Sequence, residues 1–258
     1  MTQESIHSDA RWGEEDSQDF IDYGNYFIPD RETQIDVICS LIPPIPGTQH
    51  ILDLCCGEGI LTRALLDRFP GYYVHGFDGS SKMIERAQTL LAGYGEHFAS
   101  RLFDLAGKDW RELPWPVHAV VSSLAIHHLD AAQKQDLFRG IFAMLAPGGV
   151  FIIADLIQPV TQLSTDLAGK MWDEAVRERS LHLDGNLVGY EHFLKIKWNS
   201  FVYPEQDPDP MDKMSPLFDQ LKWLEQAGFA DVDVFWVKAG HAIFGGRKNL
   251  AGPDPYTI

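Results

Sequence analysis

The run Ile51-Leu52-Asp53-Leu54-Cys55-Cys56-Gly57-Glu58-Gly59 constrains the fold more than any other stretch of the chain. A strand-length apolar segment ends in an acid, and a glycine-containing turn then passes into a helical pattern from about residue 60. A strand that feeds a helix in this way begins a βαβ unit, whose next strand returns parallel to the first. The alternation continues along the chain. Strand-like runs at 50–54, 72–77, 99–103, 119–123 and 150–155 are separated by amphipathic stretches at 60–68, 81–91 and from 131 onward. After a helical stretch at 216–227, two last runs at 231–237 and 241–244 flank Lys238-Ala239-Gly240 as a hairpin. This pattern predicts an α/β fold: a Rossmann-like seven-stranded sheet, mostly parallel, with one antiparallel strand near its end.

The alternation breaks once. Residues 157–215 carry two helix-like stretches, 163–181 and 189–198, and a loop rich in Pro and Asp. Connections in such folds usually take ~2–6 residues outside the crossover helix, so this segment is expected to be a helical cap. The expected organisation is a mobile tail at 1–19, a core at 20–156, the cap at 157–215, the end of the core at 216–248 and a tail at 249–258. Within 20–156, a single helix-like segment is read at 20–42, with Pro29 near its start. The cap's large side chains, Trp172, Tyr190, Phe193, Trp198, Phe201 and Tyr203, either line a substrate pocket or give the insertion its own small core. Trp172 and Trp198 are the substrate-binding candidates.

Charge and composition exclude several partners. With 21 Lys+Arg against 37 Asp+Glu, the net charge of −16 is wrong for a nucleic-acid backbone. The longest apolar run, Val150 to Ala154, is far short of a membrane span, and the first twenty residues lack a secretory pattern. Three cysteines, Cys39, Cys55 and Cys56, offer neither a disulfide framework nor a zinc pattern. The expectation is a cytoplasmic protein with no nucleic-acid or membrane partner. Its oligomeric state is not legible.

The turn at 55–59 identifies a ligand by its charges. A dinucleotide site wants GxGxxG and must accept a pyrophosphate. Here Thr62 stands at the third glycine position, no Lys or Arg lies in the loop, and Asp53 and Glu58 would repel phosphate. A ligand with a cationic amino-acid end, a ribose and no phosphate fits better, which describes S-adenosylmethionine. Asp78 closes the second strand at the ~20-residue spacing suited to ribose hydroxyls. Met83 either lies over an adenine or packs in the core, and Asp104 either meets an adenine amine or forms a turn.

Asp53 to Gly59, Asp78, Asp104, the segment Ser122-Ser123-Leu124-Ala125-Ile126-His127-His128-Leu129 and the turn Pro147-Gly148-Gly149 together resemble the class I S-adenosylmethionine-dependent methyltransferases, in particular small prokaryotic ones with a helical cap. The resemblance covers about residues 20–247. It implies that Asp53, Gly57 and Gly59 surround the methionine end, Asp78 holds the ribose, Asp104 and Leu105 flank the adenine, and Ser123 and Leu124 approach from the fourth strand. Cys55 stands where the family loop usually begins with Gly, a substitution that is easy only if the position does not need a positive φ. Arg31, with Tyr23 and Tyr26, either closes over the cofactor, the guanidinium meeting its carboxylate, or is a solvated surface charge in the first turn of a helix.

His127 and His128 follow the fourth strand, where a histidine serves as general base, orients an acceptor, or is merely structural. No metal is expected, since no third ligand stands at suitable spacing. The vicinal Cys55-Cys56 pair reads as an inert buried turn or a redox pair. The function implied is methyl transfer from S-adenosylmethionine to a small-molecule acceptor, leaving S-adenosylhomocysteine. Other chemistry on the same cofactor, a non-catalytic cofactor-binding module and, more distantly, an NAD-linked dehydrogenase are the rivals.

Overall fold

The computed structural model describes residues 12–250. Seven strands form one sheet: β1 His50–Leu54, β2 Tyr73–Asp78, β3 Phe98–Leu102, β4 Val117–Ser123, β5 Leu145–Leu156, β6 Ala230–Lys238 and β7 His241–Arg247. Their order is β3-β2-β1-β4-β5-β7-β6, and β7 alone runs antiparallel, between β5 and β6. This is the predicted architecture.

Alternating side chains on the central strands build a core on each face. Leu52, Leu54, Val120 and Phe151 pack on one side with Leu137, Phe138 and Ile141 of α5 Ala131–Met144 and Leu224 of α8 Leu217–Ala227. Ile51, Val121 and Ile152 pack on the other with Ile38 of α2 Arg31–Leu41 and Leu65 of α3 Ile60–Arg68. The order reverses between β1 and β4, so their carboxyl ends diverge into a crevice, the usual place for a ligand in open α/β sheets. On the outer side of β2 and β3 lies α4 Ser81–Leu91, started by the Ser80 hydroxyl, which accepts from the Met83 amide at 3.2 Å.

Three expectations need correction. Of the tail expected at 1–19, residues 1–11 lie outside the described residues, but Glu14 through Asp19 are helical, in α1 Glu14–Phe27. The helix expected at 20–42 is two helices. Pro29 forces Ile28 into extended backbone (φ −92°, ψ 115°), and Asp30 then starts α2 from the left-handed region, its carboxylate held by Lys238 Nζ at 2.9 Å. The Pro147-Gly148-Gly149 turn sits inside β5 as a bulge, since Val117 pairs with Leu145 but Ala119 with Val150. A Cβ on Gly149 would lie 2.9 Å from the carbonyl oxygens of Ala146 and His118, so only glycine fits there. Of the expected tail at 249–258, residues 251–258 lie outside the described residues.

The insertion after β5 contains α6 Gln162–Asp184 and α7 Val188–Lys195. Its ends meet beside the hairpin: the Ile157 amide donates to Gly240 O at 2.9 Å and the Gln158 amide to Ser215 O at 3.0 Å. It has a core of its own, in which Trp172, Val176, Phe193 and Phe201 pack with Phe27 of α1 and Leu156 of β5. Buried Arg179 fastens α6 to the break between α1 and α2, donating to both Glu32 carboxylate oxygens at 2.6 and 2.7 Å and to Asn25.

Candidate functional site

A cavity of about 1140 Å³ opens at the carboxyl ends of β1, β2 and β4, between the sheet, α1 and the insertion. A small neighbour of about 50 Å³ reaches behind the 55–58 turn. Cys55, Gly57, Asp78, Met83, Asp104, Leu105, Ser123, Leu124, His127, His128, Trp172 and Trp198 line the larger. Arg31 and Asp53 line the smaller, which also touches Cys55, Gly57, Ser123 and Leu124. Gly59 lines neither; at φ 91° it is the left-handed cap from which α3 starts.

The turn is folded by its own backbone. The amide of Cys56 donates to Phe77 O, that of Gly57 to Asp78 Oδ2 at 2.8 Å, and that of Gly59 to Cys56 O. Cys55 does occupy the left-handed region, at φ 57°, contrary to the condition that would make it an easy replacement for glycine. Leu124, the residue after β4, has φ 56°. Each non-glycine residue so held costs ~1–2 kcal/mol. Strain of this kind persists where surrounding structure fixes a binding site, and both residues line the two cavities. Burial and neighbouring carboxylates push the thiols of Cys55 and Cys56 up, so both stay protonated and the redox reading finds no support.

Asp53 is 1% exposed, and burial pushes its carboxyl up to about 7 despite a 2.6 Å hydrogen bond from Thr62 Oγ1. Its second oxygen, Oδ1, is buried without a partner. Across the small cavity Arg31 makes no hydrogen bond or ion pair among the described residues; its only contact of note is with the Phe20 ring, 5.9 Å away. Burial brings its pKa to about 10, against the pull of Glu58. An acid with one oxygen left without a hydrogen bond and a guanidinium without an ion pair, lining one small cavity, suit a zwitterionic amino-acid end. Asp78 is also buried; burial raises its pKa while the amides of Gly57 and Ser80 hold its two oxygens at 2.8 and 2.9 Å. Met83 is 3% exposed, and Asp104 accepts from the Ala106 amide at 3.0 Å, as a turn former does. Tyr23 and Tyr26 do not line either cavity: Tyr23 stacks on His192 of α7, and the Tyr26 hydroxyl donates to Asp184 of α6. The roof is instead Trp12 and Phe20, held in place because Glu14 accepts from the Ser80 hydroxyl at 2.9 Å and the Ser81 amide at 3.1 Å.

The far end of the cavity holds a buried polar cluster that the sequence did not reveal. Asp155, at the end of β5, accepts from the His127 amide at 2.8 Å and meets His127 Nδ1 at 2.5 Å. On the other side, Asp212 Oδ1 lies 3.4 Å from His127 Nε2 and 3.5 Å from His128 Nδ1. Burial alone would depress His127, but the two carboxylates outweigh it and lift its pKa to about 10. Burial and the adjacent imidazolium bring His128 down to about 4. The segment carrying Asp212 is stitched to the core. The Lys213 amide donates to His127 O at 2.7 Å, and buried Lys134 donates to Lys213 O at 2.6 Å and to the Ser215 hydroxyl at 2.8 Å. Asp155 was legible as an acid ending an apolar strand. Asp212 lay in a loop with no periodicity to place it.

A ligand crevice at the switch point of such a sheet, with this turn and acid pair, defines a nucleoside-binding α/β protein. Comparison with known proteins narrows the class. A family model described as a methyltransferase domain matches residues 51–149. An uncharacterized methyltransferase of Mycobacterium bovis is 30% identical over 170 residues, 63% of this chain and 75% of that protein. A trans-aconitate 2-methyltransferase of Acidovorax sp. is 34% identical over 128 residues, 48% of this chain and 46% of that one. An O-methyltransferase family protein from Burkholderia thailandensis superposes with a TM-score of 0.59 at 16% identity, covering 86% of this chain and 57% of that one. The chain belongs to the class I S-adenosylmethionine-dependent methyltransferases. It spans about half the length of several curated relatives it matches. Among the described residues, no helix is long and apolar enough to cross a membrane.

Proposed function

We propose that this protein transfers the methyl group of S-adenosylmethionine to a small molecule with an apolar body and an oxygen or nitrogen nucleophile. The observation that carries the cofactor half is that Asp53, whose buried Oδ1 lacks a hydrogen-bond partner, lines the same small cavity as Arg31, which makes no ion pair among the described residues. Asp53 and the turn at Gly57 hold the ammonium end, Arg31 the carboxylate, Asp78 the ribose, and Met83, Asp104 and Leu105 the adenine. When bound, the cofactor supplies an electrophilic methyl on a sulfonium, so the protein's main task is alignment, worth up to ~7–11 kcal/mol. Residues 157–215 form the cap that closes the acceptor side and excludes water.

The acceptor half rests on the lining. Trp12, Phe20, Trp198 and Met211 supply an apolar wall, and the larger cavity has no arginine in it. A tricarboxylate such as the acceptor in the trans-aconitate enzyme's name would meet Asp130, Asp209 and Glu205 there, while of the two lining lysines Lys213 is already paired with Asp209 at 2.9 Å, which leaves Lys197. The excess of acids over lysines on the lining likewise argues against nucleic acid as the acceptor.

Asp78→Ala tests the cofactor assignment. Losing an anionic acceptor costs ~1.5–3 kcal/mol per bond, so titration calorimetry should show S-adenosylmethionine binding at least tenfold weaker. Unchanged affinity in a folded variant removes Asp78 from the site. For the reaction, the native protein is incubated with S-adenosylmethionine and a panel of phenols, amines and carboxylates. Stoichiometric methylated product and S-adenosylhomocysteine are expected from an aromatic member. Cofactor breakdown without an acceptor, or binding without turnover, would favour a rival reading instead.

A further inference from the structure

We propose that His127, His128 and Asp212 form a mononuclear site for a first-row divalent transition-metal ion at the acceptor end of the cavity. One nitrogen from each histidine and one Asp212 oxygen all lie within 4.8 Å of one another. The Asp212 oxygen is 3.4 Å from His127 Nε2 and 3.5 Å from His128 Nδ1. Ligands on a tetrahedral ion with bonds of ~2.1 Å stand about 3.4 Å apart, so these two edges already have the required length.

The surroundings complete the case. Asp155 fixes His127 through Nδ1 and leaves Nε2 aimed at Asp212, which is the outer-shell carboxylate arrangement that orients metal-bound histidines. Asp212 needs no rearrangement, because the Lys213 amide and Lys134 already tie its segment to the core. His128 Nδ1 donates to the Met211 carbonyl at 3.2 Å, so an ion bound through Nδ1 would displace that proton and leave the carbonyl as a further oxygen donor, and beside Asp212 the buried Ser200 hydroxyl lacks a partner of good geometry. Two imidazoles and one carboxylate with an open side favour zinc, iron, cobalt, nickel or manganese over magnesium or calcium. The competing occupant is a proton shared by His127 and the two acids, which the metal would displace to solvent.

His127, His128 and Asp212 all line the large cavity, together with Trp12 and Trp198 of the acceptor wall. An ion there would bind an acceptor oxygen and favour its deprotonated form. That use, though not the site itself, rests on the methyl-transfer reading.

The test uses the whole protein, stripped with EDTA and then titrated with Zn²⁺ or Co²⁺ alone, without cofactor. One equivalent should bind, with a cobalt visible spectrum showing nitrogen and oxygen ligation and no sulfur-to-cobalt charge-transfer band. Asp212→Asn should weaken binding by ~100-fold or more, and Asp155→Asn, which removes only the orienting partner, by ~10–100-fold. His50→Ala, at the separate His50–His75 pair, should change nothing. No stoichiometric binding, or affinity unchanged in both Asp variants, overturns the site, as does a thiolate band or loss of affinity in His50→Ala. Calorimetry of S-adenosylmethionine on the same Asp212→Asn protein keeps the two readings apart. Retained cofactor affinity alongside lost metal affinity is expected, whereas failure of the cofactor to bind wild type would refute the methyl-transfer reading without touching the metal result.

Discussion

Asp53→Asn should stabilise the cofactor-free protein at pH 8 and weaken its grip on S-adenosylmethionine. The native carboxyl titrates at about 7, far above its ordinary 3.8, because burial disfavours the charged form. The sign follows from linkage. A group whose pKa is raised by folding contributes stability that is present below its unfolded pKa and is lost as the pH climbs through the folded one. By pH 8 Asp53 is ionised in both states, and folding bears the cost of burying the charge. Each pH unit separating the folded from the unfolded pKa is worth ~1.4 kcal/mol, which puts that cost at up to about 4 kcal/mol, or roughly 10 °C in melting temperature for a chain of this size. Asparagine keeps an acceptor for Thr62 Oγ1 and carries no charge, so the variant should melt higher than wild type at pH 8 and no higher at pH 4.

Binding moves the other way. A ligand ammonium beside Oδ1 needs the ionised carboxylate, so wild-type affinity should rise ~5-fold from pH 6 to pH 7, where an α-ammonium is still charged. Asp53→Asn should lose that slope and bind ~10–100-fold more weakly. Calorimetry at pH 6, 7 and 8, with melting curves of both apo proteins, checks each part. A melting difference that does not change with pH would mean that Asp53 is not carrying a buried charge. Equal affinity and slope in the variant would place the ammonium elsewhere.

How far the site was legible in the sequence depends on how local each part is. The turn at 55–59, Asp78 and the histidines were readable because strand, turn and helix succeed one another within a few dozen residues, where periodicity is informative. The break at Pro29 was readable in principle from the rule that a proline fixes the residue before it, yet the apolar spacing on both sides disguised two helices as one. The positive φ of Cys55 and Leu124 could not be read, since only the assembled crevice forces residues with a Cβ into that region. Asp212 is the clearest case. Its position depends on Lys134 reaching across to Lys213 and Ser215, a contact between segments some eighty residues apart. No local pattern encodes such a contact, so the absence of a third metal ligand was a statement about spacing in sequence and not about space.

The two tryptophans of the cap, alike in sequence, should fail differently. Trp172 is 2% exposed, its indole N–H donates to Phe27 O at 2.7 Å, and its ring packs edge-on against Phe193, Phe201 and His241. Although it borders the cavity, most of its surface is spent on the cap's core. Trp172→Ala should cost ~3–5 kcal/mol, since the hole cannot close around three fixed rings and the Phe27 carbonyl loses its donor. Trp198 is only half buried. It meets Trp12 at 6.0 Å, Phe20 at 6.2 Å and Phe27 at 5.1 Å, the first two of which roof the cavity. Trp198→Ala should therefore raise the acceptor KM or lower kcat, leave S-adenosylmethionine affinity near wild type, and cost less in melting temperature than Trp172→Ala. Hydrogen exchange across α6 and α7 supplies the matching dynamic readout, because a cap that closes on its ligands should exchange more slowly when cofactor and acceptor are both bound. If exchange ignores the ligands and both variants lose only stability, the cap is a structural insertion. The acceptor would then enter beneath Trp12 and α1 alone, where Glu14 holds the roof to α4.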